Sequence, residues 1–150
     1  ELCPEDVQSV AIEASREFIK RLKDNREGGT SLIVESTLAG KSLKRHIEQF
    51  KEAGYQVRMV FITLPNISIS AERVRIRVLK GGHNIPEKDL KRRFLRTHQN
   101  FWEIYRPLAD SWHLYQNLTG GYEKVAAGHQ SDYVLYNQTS MEVFLWKLKA

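Results

Sequence analysis

The chain has 150 residues, of which 41% are hydrophobic and 27% charged, and its net charge is +5. This suits one globular domain with its own core, and no apolar run approaches the roughly 20 residues that a membrane span needs. The single cysteine, Cys3, excludes an internal disulfide and is typical of the reducing cytoplasm. We therefore expect a cytoplasmic protein, and the lack of an apolar run predicts no membrane partner.

Hydrophobic spacing alternates between helical and strand periods along the chain. In chain order, the predicted elements are a helix over 4–23, a strand over 31–35, a helix over 40–53, a strand over 55–64, helices over 70–80 and 86–105, strands over 111–118, 122–128 and 132–137, and a helix over 140–149. The alternation of strand and helix predicts an α/β domain with a mostly parallel sheet.

The first motif to consider is STLAGKSL, residues 36–43, whose GKS letters are typical of ATP-binding loops. Such a loop needs a glycine five positions before the glycine of GKS, so that backbone N–H groups wrap around the phosphates. Glu35 stands there, and its carboxylate would repel phosphate. We therefore predict that Lys41 is a solvated lysine in the first turn of a helix.

The triplet of residues 35–37, which overlaps the start of that motif, is a better candidate site. Glu35, Ser36 and Thr37 follow a predicted parallel strand, and ligands of open α/β sheets bind at the carboxyl ends of strands. A carboxylate there accepts hydrogen bonds from the hydroxyl or amide groups of a substrate. The alternative role for Thr37 is to cap the helix that follows.

Basic residues concentrate between positions 73 and 96, which hold nine of the 23 lysines and arginines. Such a cluster indicates an anion site, and the alternative is a solvated basic face. Nucleic acid is not the expected partner, because Phe94, Phe101 and Trp102 fit the core stripe of a helix better than a stacking platform. The nine residues are Arg73, Arg75, Arg77, Lys80, Lys88, Lys91, Arg92, Arg93 and Arg96.

Four of the five histidines have no sequence context that indicates a function. They lack metal-ligand spacing, and we expect each to be a surface or a satisfied core residue. His83 is the exception, because it lies between two glycines and a proline that starts a helix. The other four are His46, His98, His113 and His129.

Several segments together resemble one known family. The stretches LIVESTLAGKSLKRHIEQFKEAGYQVRMVFITLP, ERVRIRVLKGGHNIPEKDLKRRFLRTHQNF and YQNL occur in the order of the zeta-toxin family of P-loop kinases. The likeness covers essentially the whole chain and is strongest to the small chromosomal members. GGHNIP followed by KRRFLR is its most specific part.

This resemblance implies a three-layer, adenylate-kinase-like α/β fold with a mostly parallel sheet and a helical lid over about 68–106. Residues 1–150 would form a single domain, the C-terminal three quarters of the family's kinase domain. The family's Walker A strand, its phosphate loop and its catalytic aspartate have no counterpart in this sequence. The first strand is therefore missing from the expected sheet, and its absence would leave unpaired strand edges.

The function that the resemblance implies is transfer of the γ-phosphate of ATP to a hydroxyl of a small molecule. The acceptor would be a sugar nucleotide such as UDP-N-acetylglucosamine, with ATP and Mg²⁺ bound mainly by the absent part. An antitoxin is a further partner that the family implies. The alternative is a non-catalytic module that binds a phosphorylated ligand.

The resemblance also implies roles for particular residues. The acidic triplet and His83 would contact the substrate, while Asn117 would contact the nucleotide. The segment Tyr-Gln-Asn at 115–117 departs from the family's Tyr-Asp-Asn. The catalytic arginines, expected to converge on a cleft facing Glu35, are Arg77, Arg93 and Arg96.

Overall fold

The computed structural model describes residues 7–82 and 84–149, except for the side chains of residues 7–9 and 11. Its chain divides into two compact units, Glu1–Ser36 and Thr37–Ala150. Two residues of interest in the sequence, Cys3 and His83, lie outside the described residues.

The first unit contains helix α1, Val7–Glu27, which extends four residues beyond the predicted end. Its last turn closes when the Gly28 N–H donates to the Asp24 carbonyl at 2.9 Å, and Gly29 then adopts a φ of +66°. The predicted strand over 31–35 is wrong, because this segment forms neither helix nor strand. A strand requires a neighbour for its backbone groups, and without one the side chain of Ile33 is fully exposed.

The second unit holds the remaining elements, and each except the short α5 coincides with a predicted segment. The helix predicted over 70–80 begins three residues earlier than expected, because Asn66 caps it by accepting from the Ile69 N–H at 3.2 Å. The elements are α2 (Leu43–Glu52), β1 (Arg58–Thr63), α3 (Ile67–Leu79), α4 (Glu87–Asn100), a π-helical turn (Phe101–Tyr105), α5 (Arg106–Leu108), β2 (Ser111–Leu118), β3 (Gly121–His129), β4 (Asp132–Leu135) and α6 (Gln138–Lys149).

These strands form one mixed sheet in the order β1-β2-β3-β4. The prediction of a mostly parallel sheet is wrong, since only β1 and β2 run parallel. The reason lies in the connections: two residues link β2 to β3, which is long enough only for an antiparallel hairpin. In contrast, the long α3–α5 crossover permits the parallel pairing of β1 with β2.

The core of this unit covers one face of the sheet. Phe61 on β1 stacks on Phe101 with ring centroids 4.2 Å apart, and Trp112 on β2 is fully buried. The other face of β1 is apolar but open, with Val60 60% exposed and Ile62 49% exposed. Helices α2 and α6 and the α4–α5 stretch all contribute to this same core. The described residues therefore form two layers, sheet and helices, and the third layer stays an expectation.

Candidate functional site

Three hydrogen bonds hold the loop of residues 37–40 against α4 and the π-helical turn. Thr97 Oγ1 donates to the Thr37 carbonyl at 2.8 Å, and Asn100 Nδ2 donates to the Leu38 carbonyl at 2.8 Å. The Tyr105 hydroxyl donates to the Gly40 carbonyl at 2.7 Å. These bonds hold Leu38 at a φ of +54°, a conformation that costs a non-glycine residue about 1–2 kcal/mol.

This geometry corrects the expected role of Thr37 as a helix cap. Helix α2 begins only at Leu43, and its N-cap position is Ser42. Thr37 Oγ1 lies instead 3.5 Å from the Ala39 N–H, within the loop itself. Lys41 is exposed, as predicted, but precedes α2 by two residues.

The same side of α4 carries two of the predicted catalytic arginines. Arg93 precedes Thr97 by four residues and Arg96 precedes Asn100 by four, so each lies one helical turn from a residue that holds the loop. Both arginines are exposed, and neither forms an ion pair with any described carboxylate. Their neighbour Arg92, in contrast, pairs with Asp89 at 2.8 Å.

The third predicted arginine, Arg77, lies at the end of α3. The two glycines after it end this helix in a Schellman turn, where the Gly82 N–H donates to the Arg77 carbonyl at 2.9 Å and Gly81 has a φ of +84°. A Cβ on Gly82 would lie 2.5 Å from Cγ of Arg77, so the turn packs directly against this side chain.

Helices α3 and α4 pack on each other as a hairpin. None of the side chains of α3 is fully buried, and Leu79 is 74% exposed. An apolar groove of about 410 Å³ lies between the two helices, lined by Val74, Val78 and Leu90 among others. The hairpin carries more basic than acidic residues, and two of its carboxylates, Glu72 and Asp89, each pair with an arginine.

Three predicted site residues outside the hairpin are Glu35, Ser36 and Asn117. Glu35 and Ser36 are exposed and belong to the first unit, so their approach to the arginines stays a prediction. Asn117 is half-buried on β2 and pairs in register with Tyr122 of β3. Its neighbour Gln116 points to the core face, where its Oε1 is buried without a hydrogen-bond partner among the described residues.

A buried polar cluster at the carboxyl end of β1 contains functional candidates that the sequence did not reveal. Thr63 Oγ1 lies 2.6 Å from His98 Nε2, and Lys147 Nζ lies 3.2 Å from Thr63 Oγ1. His98 is a satisfied core residue, as expected for a lone histidine. The signal for its burial was the apolar stripe of α4, in which it follows Phe94 by four residues.

Burial changes the titration of both ionisable members of this cluster. The pKa of His98 is lowered to about 4, chiefly by desolvation and to a smaller extent by the nearby Lys147 ammonium. Desolvation also lowers the pKa of Lys147 to about 8, since no carboxylate of the described residues faces it.

The described residues offer no set of three or more histidine, cysteine, aspartate or glutamate side chains that fits a metal ion. We therefore assign no Mg²⁺ ligand and no metal-dependent step to them. Among the same residues, no helix has the length and apolar character needed to cross a membrane.

Comparisons with known proteins agree with the resemblance of the motifs. A protein of Haemophilus influenzae, described only as uncharacterised, is 30% identical over 91 residues, which are 61% of this chain and 65% of that protein. No solved structure gives a significant match. The sequence model of the family described as Zeta toxin matches residues 3–140. The chain therefore belongs to the zeta toxin family.

Proposed function

We propose that this protein is an ATP-dependent kinase that phosphorylates a hydroxyl of a small molecule, a sugar nucleotide or a similar acceptor. The α3–α4 hairpin serves as its lid and residues 35–37 contact the acceptor. One observation carries the proposal: Arg93 and Arg96 lie free of ion pairs with the described residues, one turn from the side chains that hold the loop at Thr37.

The chemistry of phosphoryl transfer requires this kind of equipment. The transferred group carries charge on its equatorial oxygens, and catalysis consists mainly of positioning and of neutralising that charge. An arginine already paired with a carboxylate contributes little to this task. No described carboxylate pairs with Arg93 or Arg96, so both can bind an anionic ligand. The bonds from Thr97 and Asn100 fix the loop beside them.

This proposal assigns neither a phosphate loop nor a metal site to the described residues. GKS at 40–42 is not a phosphate loop, and the described residues hold no metal-ligand cluster. The proposal assigns to residues 1–150 only the contacts with the transferred phosphate and with the acceptor. The arginines then contribute positive charge towards the transferred phosphate and positioning of the acceptor.

The test is a phosphotransfer assay on the full-length gene product with ATP and a panel of sugar nucleotides, read by mass spectrometry of the acceptor. We expect an acceptor heavier by one phosphoryl group, formed only with ATP. Replacement Arg93→Gln or Arg96→Gln should lower kcat/KM at least about tenfold. Arg92→Gln, on the same helix but paired with Asp89, is the matched control and should retain most of the activity.

Two results would contradict the proposal. Binding of sugar nucleotides without any turnover would indicate a non-catalytic binding module. Equal losses of activity in Arg92→Gln, Arg93→Gln and Arg96→Gln would mean that the cluster acts only as a general positive surface.

A further inference from the structure

The two ends of the lid hairpin meet at one place in the structure. The chain leaves the sheet at Thr63, the last residue of β1, and α3 begins at Ile67. It returns along α4, whose side chain at His98 is 2% exposed. The Thr63 side chain therefore contacts both Leu64, in the junction of residues 64–66 before α3, and His98 on α4.

The direction of each hydrogen bond in this cluster can be assigned. The Phe94 carbonyl can only accept, so the 2.6 Å contact places the proton of neutral His98 on Nδ1. Nε2 of His98 then accepts from the Thr63 hydroxyl at 2.6 Å, a shorter contact than the 3.2 Å from the same hydroxyl to the Leu64 carbonyl. Thr63 thus joins the sheet to α4.

Lys147 of α6 completes the cluster from the other side. Its Nζ donates to the Leu64 carbonyl at 2.6 Å and to Thr63 Oγ1 at 3.2 Å. Leu64 is the first residue after β1, where the chain turns towards α3. The ammonium therefore fixes the backbone at the point from which the lid departs.

Burial of these three polar side chains costs free energy of desolvation, and a functional role would explain why they are present. Thr63 is 1% exposed, and both His98 and Lys147 are 2% exposed. The only acceptors that the described residues give to the Lys147 ammonium are a carbonyl and a hydroxyl, with the Phe94 ring 5.7 Å away. A methionine would fill the same volume without the desolvation cost of a charge. What it would lose is the directed contact to the start of the lid.

We propose that Lys147, Thr63 and His98 form the pivot of the α3–α4 lid. Lys147 is a positioning residue that fixes the junction before α3, while Thr63 ties this junction to α4. The two helices consequently move as one body, and Arg93 and Arg96 keep their placement relative to the loop of residues 37–40. That the hairpin acts as a lid rests on the proposed function, whereas the contacts that form the pivot are a property of the fold.

The experiment measures the lid position directly and needs no activity. Spin labels are placed on Ala71→Cys in α3 and on Thr119→Cys in the β2–β3 turn, both exposed sites, in a protein whose Cys3 is replaced by serine. Pulsed electron spin resonance then gives the distribution of the distance between the labels. We expect one narrow distribution for the parent protein.

Lys147→Met should broaden this distribution at least twofold or add a second population. Its melting temperature should be equal or higher, because the buried charge is gone. Lys149→Met, an exposed lysine on the same helix, is the matched control and should keep the narrow distribution. An unchanged width in Lys147→Met would overturn the pivot and leave the kinase proposal untouched.

A second pair of variants covers the case in which Lys147→Met fails to fold. Thr63→Ser keeps the hydroxyl and should retain the narrow distribution, whereas Thr63→Val removes it and should broaden the distribution. If the serine and valine variants give equal widths, the hydroxyl does not join the lid to the sheet and the proposal is wrong.

Discussion

At the scale of single residues, His98 shows how burial selects one protonation state. Its ring lies among Phe61, Phe94 and Phe144, and both ring nitrogens are hydrogen-bonded in the neutral form. Protonation would place a second positive charge beside the buried Lys147 ammonium. The folded state therefore holds His98 neutral well below the usual pKa of histidine.

This environment predicts a pH dependence of stability. Burial lowers the pKa of His98 from 6.5 to about 4, so between these values the unfolded state binds a proton that the folded state does not. The free energy of unfolding should accordingly fall as the pH falls through this window, by about 3 kcal/mol in total. Urea denaturation at half-unit steps from pH 7 to pH 4 measures it.

The variant His98→Gln should lack this contribution, so its stability should vary less with pH than that of the parent. His46→Gln on α2 is the control and should keep the parent's slope. Parallel curves for the parent and His98→Gln would show that another group controls acid stability.

At the scale of elements, the α3–α4 hairpin depends on how α3 ends. Gly81 takes the left-handed conformation that favours glycine, and the Gly82 N–H closes the turn on the Arg77 carbonyl. The close approach of Gly82 to Arg77 leaves no room for a side chain. The two adjacent glycines thus serve different physical needs.

We predict that Gly82→Ala destabilises the protein. The new Cβ would lie 2.5 Å from Cγ of Arg77 and 2.9 Å from its carbonyl oxygen, so the Arg77 side chain and the turn must shift. Overpacking of this kind costs about 1–3 kcal/mol in the free energy of unfolding, measured by chemical denaturation. Gly120→Ala, where a Cβ meets no atom within 4 Å, is the control and should change stability far less. Equal effects at both positions would contradict this account.

At the scale of the whole molecule, the triplet Glu35, Ser36 and Thr37 is the proposed contact with the acceptor. Glu35 is exposed on a segment without helix or strand. From the proposed kinase function, we predict that Glu35→Gln lowers acceptor-dependent turnover at least about tenfold while ATP affinity stays within about twofold. Glutamine keeps the size of the side chain and removes the charge that accepts hydrogen bonds from the acceptor's hydroxyl groups.

Calorimetric titration of ATP and the phosphotransfer assay, run side by side on parent and variant, separate the two quantities. Glu52→Gln, an exposed glutamate on α2, is the matched control and should leave both unchanged. If turnover persists in Glu35→Gln while the melting temperature falls, Glu35 has a structural role instead.

The sequence alone determined most of the secondary structure, because periodicity depends only on the order of residues. The strands from β1 to β4 and the helices α2, α3, α4 and α6 all lie on segments whose spacing predicted them, and only the short α5 does not. The basic cluster and the family could also be predicted from the sequence, since charge and motif are properties of the chain itself.

Only the tertiary structure decided which of these residues meet. The apolar run at 31–35 has strand spacing but forms no strand, because a strand exists only where a neighbour satisfies its backbone groups. Likewise, 84 residues separate Lys147 from Thr63, and nothing in the local sequence indicates that a lysine of α6 is buried against the end of β1. Folding brings these distant side chains into contact, and burial then gives His98 and Lys147 the lowered pKa values that neither would have in water.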